Sequence, residues 1–406
     1  MSPAPKLKDL PGRHVETGSL ANALALRGVT APHTGLPYSE ALLLGISGGI
    51  AVGYFIFEYK GYLPHLALLT RNTFDPLETL LDRLALPREV QQTTNAAQGQ
   101  ANLIAALDSG HAPLVWVDMF SLPYNHLPSG PQHYGMFPLT VVGQAGDSFL
   151  VADRSRRPFT LTAEELAQAR GRVKKDRYRL MTVEPPDPAR LPAAVQKGLW
   201  QCLNLYTEAP PRGSRNNFGL AALAHWSKML TNQRHKSSWA RVFPPGPALY
   251  QALAGSPHQP GLYAWIMTYH TTGPDADRAT YADFLDEAAI LLERPALRVA
   301  GAHFRRSAQA WHALAVAALP DDVPLLRESR ELLARRHKLR VDKGPAADAE
   351  VVQIHARLSE LEVQAAEDFP LNAEQSAELL AGLARQVDEI AVIEKEAVAA
   401  LTAALA

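Results

Sequence analysis

The spacing of apolar residues changes character along this chain, and the change falls at a proline-rich break, Glu184-Pro-Pro-Asp-Pro188. Proline fixes φ and removes a backbone donor, so neither a helix nor a sheet ladder continues through that segment. Ahead of the break, short elements of both periods interleave. Residues 19–26 are apolar at helical spacing and carry Thr17 and Ser19 as capping candidates. Residues 40–44 continue the helical pattern, 54–59 and 65–70 read as strands, and 76–84 as a helix. A weak strand over 89–93 precedes a helix over 98–107, which Asp108-Ser-Gly110 ends before a buried strand over 113–119. Residues 139–142 and 148–152 flank a Gly-Gln-Ala-Gly-Asp turn, the pattern of a β-hairpin. Thr162 and Glu165 have capping-box spacing and open a helix to Arg170; residues 177–183 close the region as a strand.

Beyond the break almost every periodic run is helical: 193–206, 218–231, 247–254, 280–292, 295–317, 323–340, 346–366 and 372–405. The last is rich in Ala, Leu and Glu at heptad-like spacing, so the final segments are expected to pack as a helical hairpin or bundle. The pattern predicts an α+β region with an antiparallel sheet over residues 1–185. An all-α domain over 190–320 and a helical extension over 321–406 follow.

Composition narrows the class. The chain has 406 residues, 47% hydrophobic and 20% charged, with net charge −1. Such a balance argues against a nucleic-acid binder, whose phosphate contacts need unbalanced Lys and Arg. One cysteine, Cys202 in an apolar helical run, excludes an intrachain disulfide and a multi-cysteine zinc site. No metal and no cofactor is expected. His303 and His312 lack zinc spacing. The N-terminal residues show no apolar signal region, which implies a cytoplasmic location. Residues 41–57 hold no charge over 17 positions, yet their glycines and their mid-course change from helical to strand character favour two buried elements over a membrane span. Gly45 to Gly53 lacks a following Gly-Lys-Ser/Thr, so close packing explains these glycines better than phosphate binding.

Two stretches carry a resemblance. Gly12-Arg-His-Val-Glu-Thr-Gly-Ser-Leu20 and Tyr38-Ser-Glu-Ala-Leu-Leu-Leu-Gly-Ile-Ser-Gly-Gly-Ile50 resemble the opening of the butirosin-biosynthesis protein H N-terminal family. The resemblance implies a papain-like, cysteine-peptidase-like fold. Asn216-Asn-Phe-Gly219, Tyr281-Ala-Asp-Phe-Leu-Asp-Glu-Ala-Ala289 and Trp311 resemble the helical domain of unknown function that usually follows in that family.

The family's site, on this resemblance, needs a thiol just after the first His, at a helix N-terminus that stabilises the thiolate. Here Val15 follows His14. The family's proton-handling His leads into an apolar strand, four residues after another His. Aligning Gln132-His-Tyr-Gly-Met-Phe137 puts His133 at the first and Phe137 at the second. Asp153 keeps the position of the acid. The ancestral catalytic positions are therefore Val15, Phe137 and Asp153, of which only the acid survives. Thr17 and Ser19 stand near the lost thiol, but a hydroxyl needs an adjacent base to act as a nucleophile, and capping accounts for both. The candidates for a binding cleft are His14, Glu16, Thr17, Ser39, Glu40, Asp118, Tyr124, His133 and Asp153. Ser39 and Glu40 belong to the family's opening motif and are read first as caps of the second helix. Asp283, Asp286 and Glu287 share a helical face in part and read as solvated, with a binding role as the alternative.

Three functions compete. The first is a non-catalytic protein that keeps the ancestral cleft for a small molecule, a peptide or an acyl-carrier partner. The second, implied by the resemblance, is an acyltransferase that moves an acyl group from a carrier-protein thioester to an amine without a cysteine nucleophile. Positioning alone can lower such a barrier by several kcal/mol. The third treats the helical half as the working part, an oligomerisation or partner-binding module with the first half as its platform, a homodimer through the C-terminal helices being one form of it.

Overall fold

The structure, a computed structural model, describes residues 9–128, 130, 133–256, 259–269 and 274–406. The N-terminal residues read for a signal region, 1–8, and Gln132 lie outside them.

The strands are β1 (Ile50–Phe57), β2 (His65–Arg71), β3 (Arg88–Gln91), β4 (Leu114–Asp118), β5 (Met136–Ala145), β6 (Ser148–Ala152), β7 (Phe159–Thr162) and β8 (Leu180–Val183), with a two-residue pair β9 (Gly255–Ser256) and β10 (Gln259–Pro260). The first helices are α1 (Thr17–Leu26), α2 (Glu40–Ile46), α3 (Pro76–Arg83), α4 (Ala96–Asp108) and α5 (Ala163–Gly171). Then come α6 (Leu191–Thr207), α7 (Gly219–Thr231), α8 (Trp239–Val242), α9 (Pro247–Leu253) and α10 (Leu262–Met267). The last are α11 (Arg278–Leu291), α12 (Leu297–Ala318), α13 (Pro324–Lys343), α14 (Asp348–Glu367) and α15 (Ala373–Leu405). The fold class is α+β: antiparallel strands in the N-terminal region, helices after it.

The chain forms two compact units, and neither is a linear block. The first comprises residues 1–43, 77–194 and 338–352; the second comprises 44–76, 195–337 and 353–406. A break near 185 is thus close to one boundary. The β1–β2 hairpin, however, belongs with the helices, and a stretch from the end of α13 belongs with the sheet. Domains cut at 185 and 320 differ from this division, because hydrophobic period reports how a segment folds and not which partner buries it.

The first unit is built on a six-stranded antiparallel sheet in the order β3-β8-β4-β5-β6-β7. Alternation along β5 sends Phe137, Leu139 and Val141 into one apolar cluster with Val115 and Val117 of β4, Phe149 and Val151 of β6, and Leu103 and Leu166 of α4 and α5. The opposite face of β5 meets α1, where the Thr140 hydroxyl donates to the Ser19 carbonyl (2.7 Å). The β5–β6 hairpin pairs Ala145 with Ser148, and Thr162 and Glu165 form the expected capping box on α5.

In the second unit the hairpin β1–β2 packs on α7 and α10, and α12 lies among α10, α11 and α15. The final helix does not form a separate hairpin with its predecessors. Its apolar stripe, including Leu383, Val387, Ile390, Ala397 and Leu401, is buried, and its main neighbours are α12 and α7. The glycines of 45–53 serve packing: a Cβ at Gly45 would stand 2.2 Å from the Phe284 ring. Residues 41–57 resolve into α2, a turn and β1, and no described helix is long and apolar enough to cross a membrane.

Candidate functional site

The loop before α1 is held by a carboxylate. Glu40, the first residue of α2, accepts the backbone N–H of Arg13 at 2.7 Å and of His14 at 2.9 Å. The Gly12 N–H donates to Asn22 Oδ1 at 2.8 Å. This loop lies so close on the first turn of α1 that a Cβ at Gly12 would meet the Gly18 carbonyl oxygen at 1.9 Å. A Cβ at Gly18 would meet Arg13 N at 2.5 Å and Glu40 Oε1 at 2.6 Å. The two glycines of the opening motif are therefore fixed by packing.

The caps fall differently from the expectation. Ser39 Oγ accepts the Leu42 N–H at 2.9 Å and caps α2, whereas Glu40 grips the loop. At α1 neither Thr17 nor Ser19 caps. His14 Nδ1 accepts the N–H of Glu16 at 3.2 Å and of Thr17 at 3.4 Å, covering donors that a helix start leaves open. Imidazole lies outside the Ser/Thr/Asp/Asn set that sequence reading uses for caps. A nitrogen that accepts from two N–H groups holds no proton, which assigns the ring proton to Nε2. Ser19 Oγ donates back to the Val15 carbonyl at 2.7 Å. The Thr17 hydroxyl is buried and has no hydrogen-bond partner among the described residues.

Val15, half-buried, packs against the cluster that contains Phe137 and Tyr124. Phe137, from β5, is 7% exposed, and the Arg154 guanidinium stands over its ring, 5.0 Å from the centroid. Just beyond β6, Asp153 is buried and fully engaged. Arg154 donates Nε to Oδ1 at 2.7 Å and Nη2 to Oδ2 at 2.8 Å, and the Tyr124 hydroxyl donates to Oδ2 at 3.0 Å. Arg154 reaches back onto its neighbour from a left-handed backbone, φ 53°. Burial first, then the charge of Asp153, pushes the Tyr124 phenol well above its ordinary value, so it stays a donor.

A segment remote in sequence closes this corner. Arg340, at the end of α13, donates to Asn125 Oδ1 at 3.0 Å and to the Tyr124 carbonyl. Arg156 N–H donates to the Val341 carbonyl at 2.8 Å, and His126 pairs with Asp348 at 2.6 Å. Nothing in the sequence signals this clamp. Arg154, by contrast, had a signal: a cation directly after the acid.

Asp118 and His133 hold the turn between β4 and β5. Asp118, wholly buried, accepts from Ser121 Oγ at 2.8 Å and Gly135 N–H at 3.0 Å and pairs with Arg172 at 3.0 Å. Arg172 also donates to the His133 carbonyl at 2.6 Å, and the His133 ring stacks on Phe120 at 5.3 Å. Glu16 lies half-buried at the start of α1. Phe137, Tyr124, Asp153 and Arg154 thus form one neighbourhood, and Val15 packs against the apolar cluster to which Phe137 and Tyr124 belong, while Asp118 and His133 form a second. In the second unit, Asp283 and Asp286 share Arg305, at 2.8 and 2.6 Å, on an exposed face. Among the described residues no group of three or more His, Cys, Asp or Glu could hold a metal ion.

Residues 14–154 match the family described as butirosin biosynthesis protein H, N-terminal. The N-terminal region belongs to that family. The match opens on His14 and closes on Arg154, so it spans Val15, Phe137 and Asp153, and it includes the β1–β2 hairpin of the second unit. No curated protein matches the chain.

Proposed function

We propose that the first unit is a non-catalytic member of this family: a papain-like domain that has lost its nucleophile and base and keeps a binding surface. One observation carries the reading. Asp153, the acid that would orient a catalytic imidazole, is instead neutralised by Arg154 and bonded by Tyr124, and the ring beneath Arg154 is Phe137. A buried carboxylate without a partner is costly, so loss of an imidazole requires a replacement, and Arg154 supplies one. Val15 offers no nucleophile, and the Nδ1 of His14, the imidazole nearest in sequence, is committed to the start of α1. The ligand class is a small molecule, a peptide or an acyl group on a carrier protein, with exposed Tyr134 and Met136 beside His133 as the accessible surface.

The second reading, acyl transfer by direct attack of an amine on a bound thioester, draws on the biosynthetic name of the family. An acyl-pantetheine thioester with an amine acceptor separates the two. The binding reading expects the thioester to raise the melting temperature of the protein while its aminolysis stays at the uncatalysed rate. Catalysed aminolysis that falls in both His133→Ala and Asp153→Asn would establish the second reading instead.

A further inference from the structure

Where α4 ends, a serine, a histidine and a carboxylate meet within the first unit. Ser109 follows α4 directly and is exposed; its Oγ lies 2.9 Å from His111 Nδ1. His111 Nε2 lies 2.9 Å from Oε1 of Glu184, the residue after β8. Arg27, just beyond α1, holds the other oxygen of Glu184 at 2.8 Å. Hydrogen bonds from Arg27 and then His111 keep that carboxyl below its ordinary range. An ionised carboxylate only accepts, so Nε2 carries the proton and the neutral imidazole presents a bare Nδ1 to the serine. The Ser109 hydroxyl also reaches the Ala106 carbonyl at 2.8 Å, and rotation about its C–O bond moves the proton between these two acceptors. A hydroxyl bonded to a base that a third group orients is the arrangement of an activated nucleophile. The His111 side chain is 20% exposed, so the base is sheltered while the nucleophile faces solvent.

We propose that Ser109 is a nucleophile toward small activated esters, with His111 as its base and Glu184 as the positioning residue. Ser109 Oγ attacks the carbonyl carbon as its proton passes to Nδ1, and Glu184 offsets the charge of the imidazolium. The bond to the leaving oxygen then breaks, and the proton goes to that oxygen. Water next gives a proton to Nδ1 and its hydroxide to the acyl carbon, which frees the acid and returns the proton to Ser109. The N–H groups of Gly110 and His111 donate to the carbonyls of Leu107 (3.0 Å) and Ala106 (3.1 Å), so neither serves a developing oxyanion. That restricts the site to aryl esters, whose phenolates leave readily, and leaves out amides and alkyl thioesters. This chemistry is independent of the function assigned to the Asp153 corner.

Treating the full chain with 4-nitrophenyl acetate, and locating the acetyl group by mass spectrometry during turnover, tests it. Acetyl is expected on Ser109 of the unaltered protein. His111→Ala is expected to acetylate about a hundredfold more slowly, the size of a lost general base, and free imidazole to restore part of that rate. Glu184→Gln is expected to slow acetylation less, with Glu184→Asp recovering part of the loss. No acetyl on Ser109, an unchanged rate in His111→Ala or in Glu184→Gln, or no recovery with imidazole overturns the proposal. If a variant fails to fold, the position of the acetyl group on the unaltered chain decides.

Discussion

Each unit buries an acid against an arginine and an aromatic ring, Asp153 in the first and Glu394 in the second, and the two are treated alike. In the helical unit Glu394 sits in the apolar stripe of α15, fully buried against Arg278, which is also fully buried (2.7 Å). Ser307 and Trp311 each donate to the same carboxylate at 2.8 Å, and Arg278 stacks over Trp311 at 4.8 Å. Burial opposes the charge of Arg278, but Glu394 outweighs it and holds the guanidinium above its ordinary value. That constellation fastens α11, α12 and α15 together. In the sheet unit Asp153 has the same dress: one arginine, one further hydroxyl donor, an aromatic ring under the cation. Position in the family made Asp153 look catalytic, and its partners make it look like Glu394. The remaining difference is access, since the Arg154 side chain is 23% exposed and that of Arg278 is not exposed at all.

Breaking each pair measures that difference. Glu394→Leu leaves Arg278 buried and uncompensated and is expected to cost about 3–5 kcal/mol in denaturant unfolding. Adding Arg278→Met should recover most of it, as is usual when both halves of a buried pair are replaced. Arg154→Ala leaves Asp153 with Tyr124 and with water at the exposed side, and about 1.5–3 kcal/mol is expected in the same measurement. Equal losses at the two sites would erase the distinction by access. The clamp that covers Asp153 comes next. Gly344 has φ +54°, and a Cβ there would stand 2.7 Å from Ser155 Oγ. Gly344→Ala should therefore cost about 1–2 kcal/mol, lowering the melting temperature. The smallest effect belongs to an exposed acid. Hydrogen bonds from Arg27 and then His111 hold Glu184 below its ordinary value. Its stabilisation is present above the ordinary carboxylate range and fades as pH falls through the lowered value, so Glu184→Gln should flatten acid unfolding by about 0.5 kcal/mol or less.

Much of the secondary structure was legible because local chemistry decides it. The Thr162–Glu165 box, the 139–152 hairpin and the long helices all stood near their expected places. Strand β7 was missed: four residues after an arginine-rich loop show too little alternation to be read. So were α8 and α10, of four and six residues, which are too short to show a period. Unit membership was illegible, since nothing in residues 338–352 announces that Arg340 and Val341 serve a loop near residue 125. At the candidate site the sequence supplied Val15, Phe137, Tyr124 and Asp153 but neither the role of Arg154 nor that of His14. Glu394 was a legible anomaly, a charge on an apolar stripe, and could have prompted a search for its arginine.

The proposed function rests on one reading, that Val15, Phe137 and Asp153 occupy the positions of a thiol-dependent site that has lost its reactive atoms. The double substitution Val15→Cys with Phe137→His tests it, with mass spectrometry locating acylation by an acyl-pantetheine thioester. Cys202 gives no background, because it is buried and burial raises its thiol to about 12. The account predicts an acyl adduct on residue 15 of the double variant, weaker with Val15→Cys alone, and none on the unaltered chain. An inert residue 15 in the double variant, or an adduct on the unaltered chain, would contradict it.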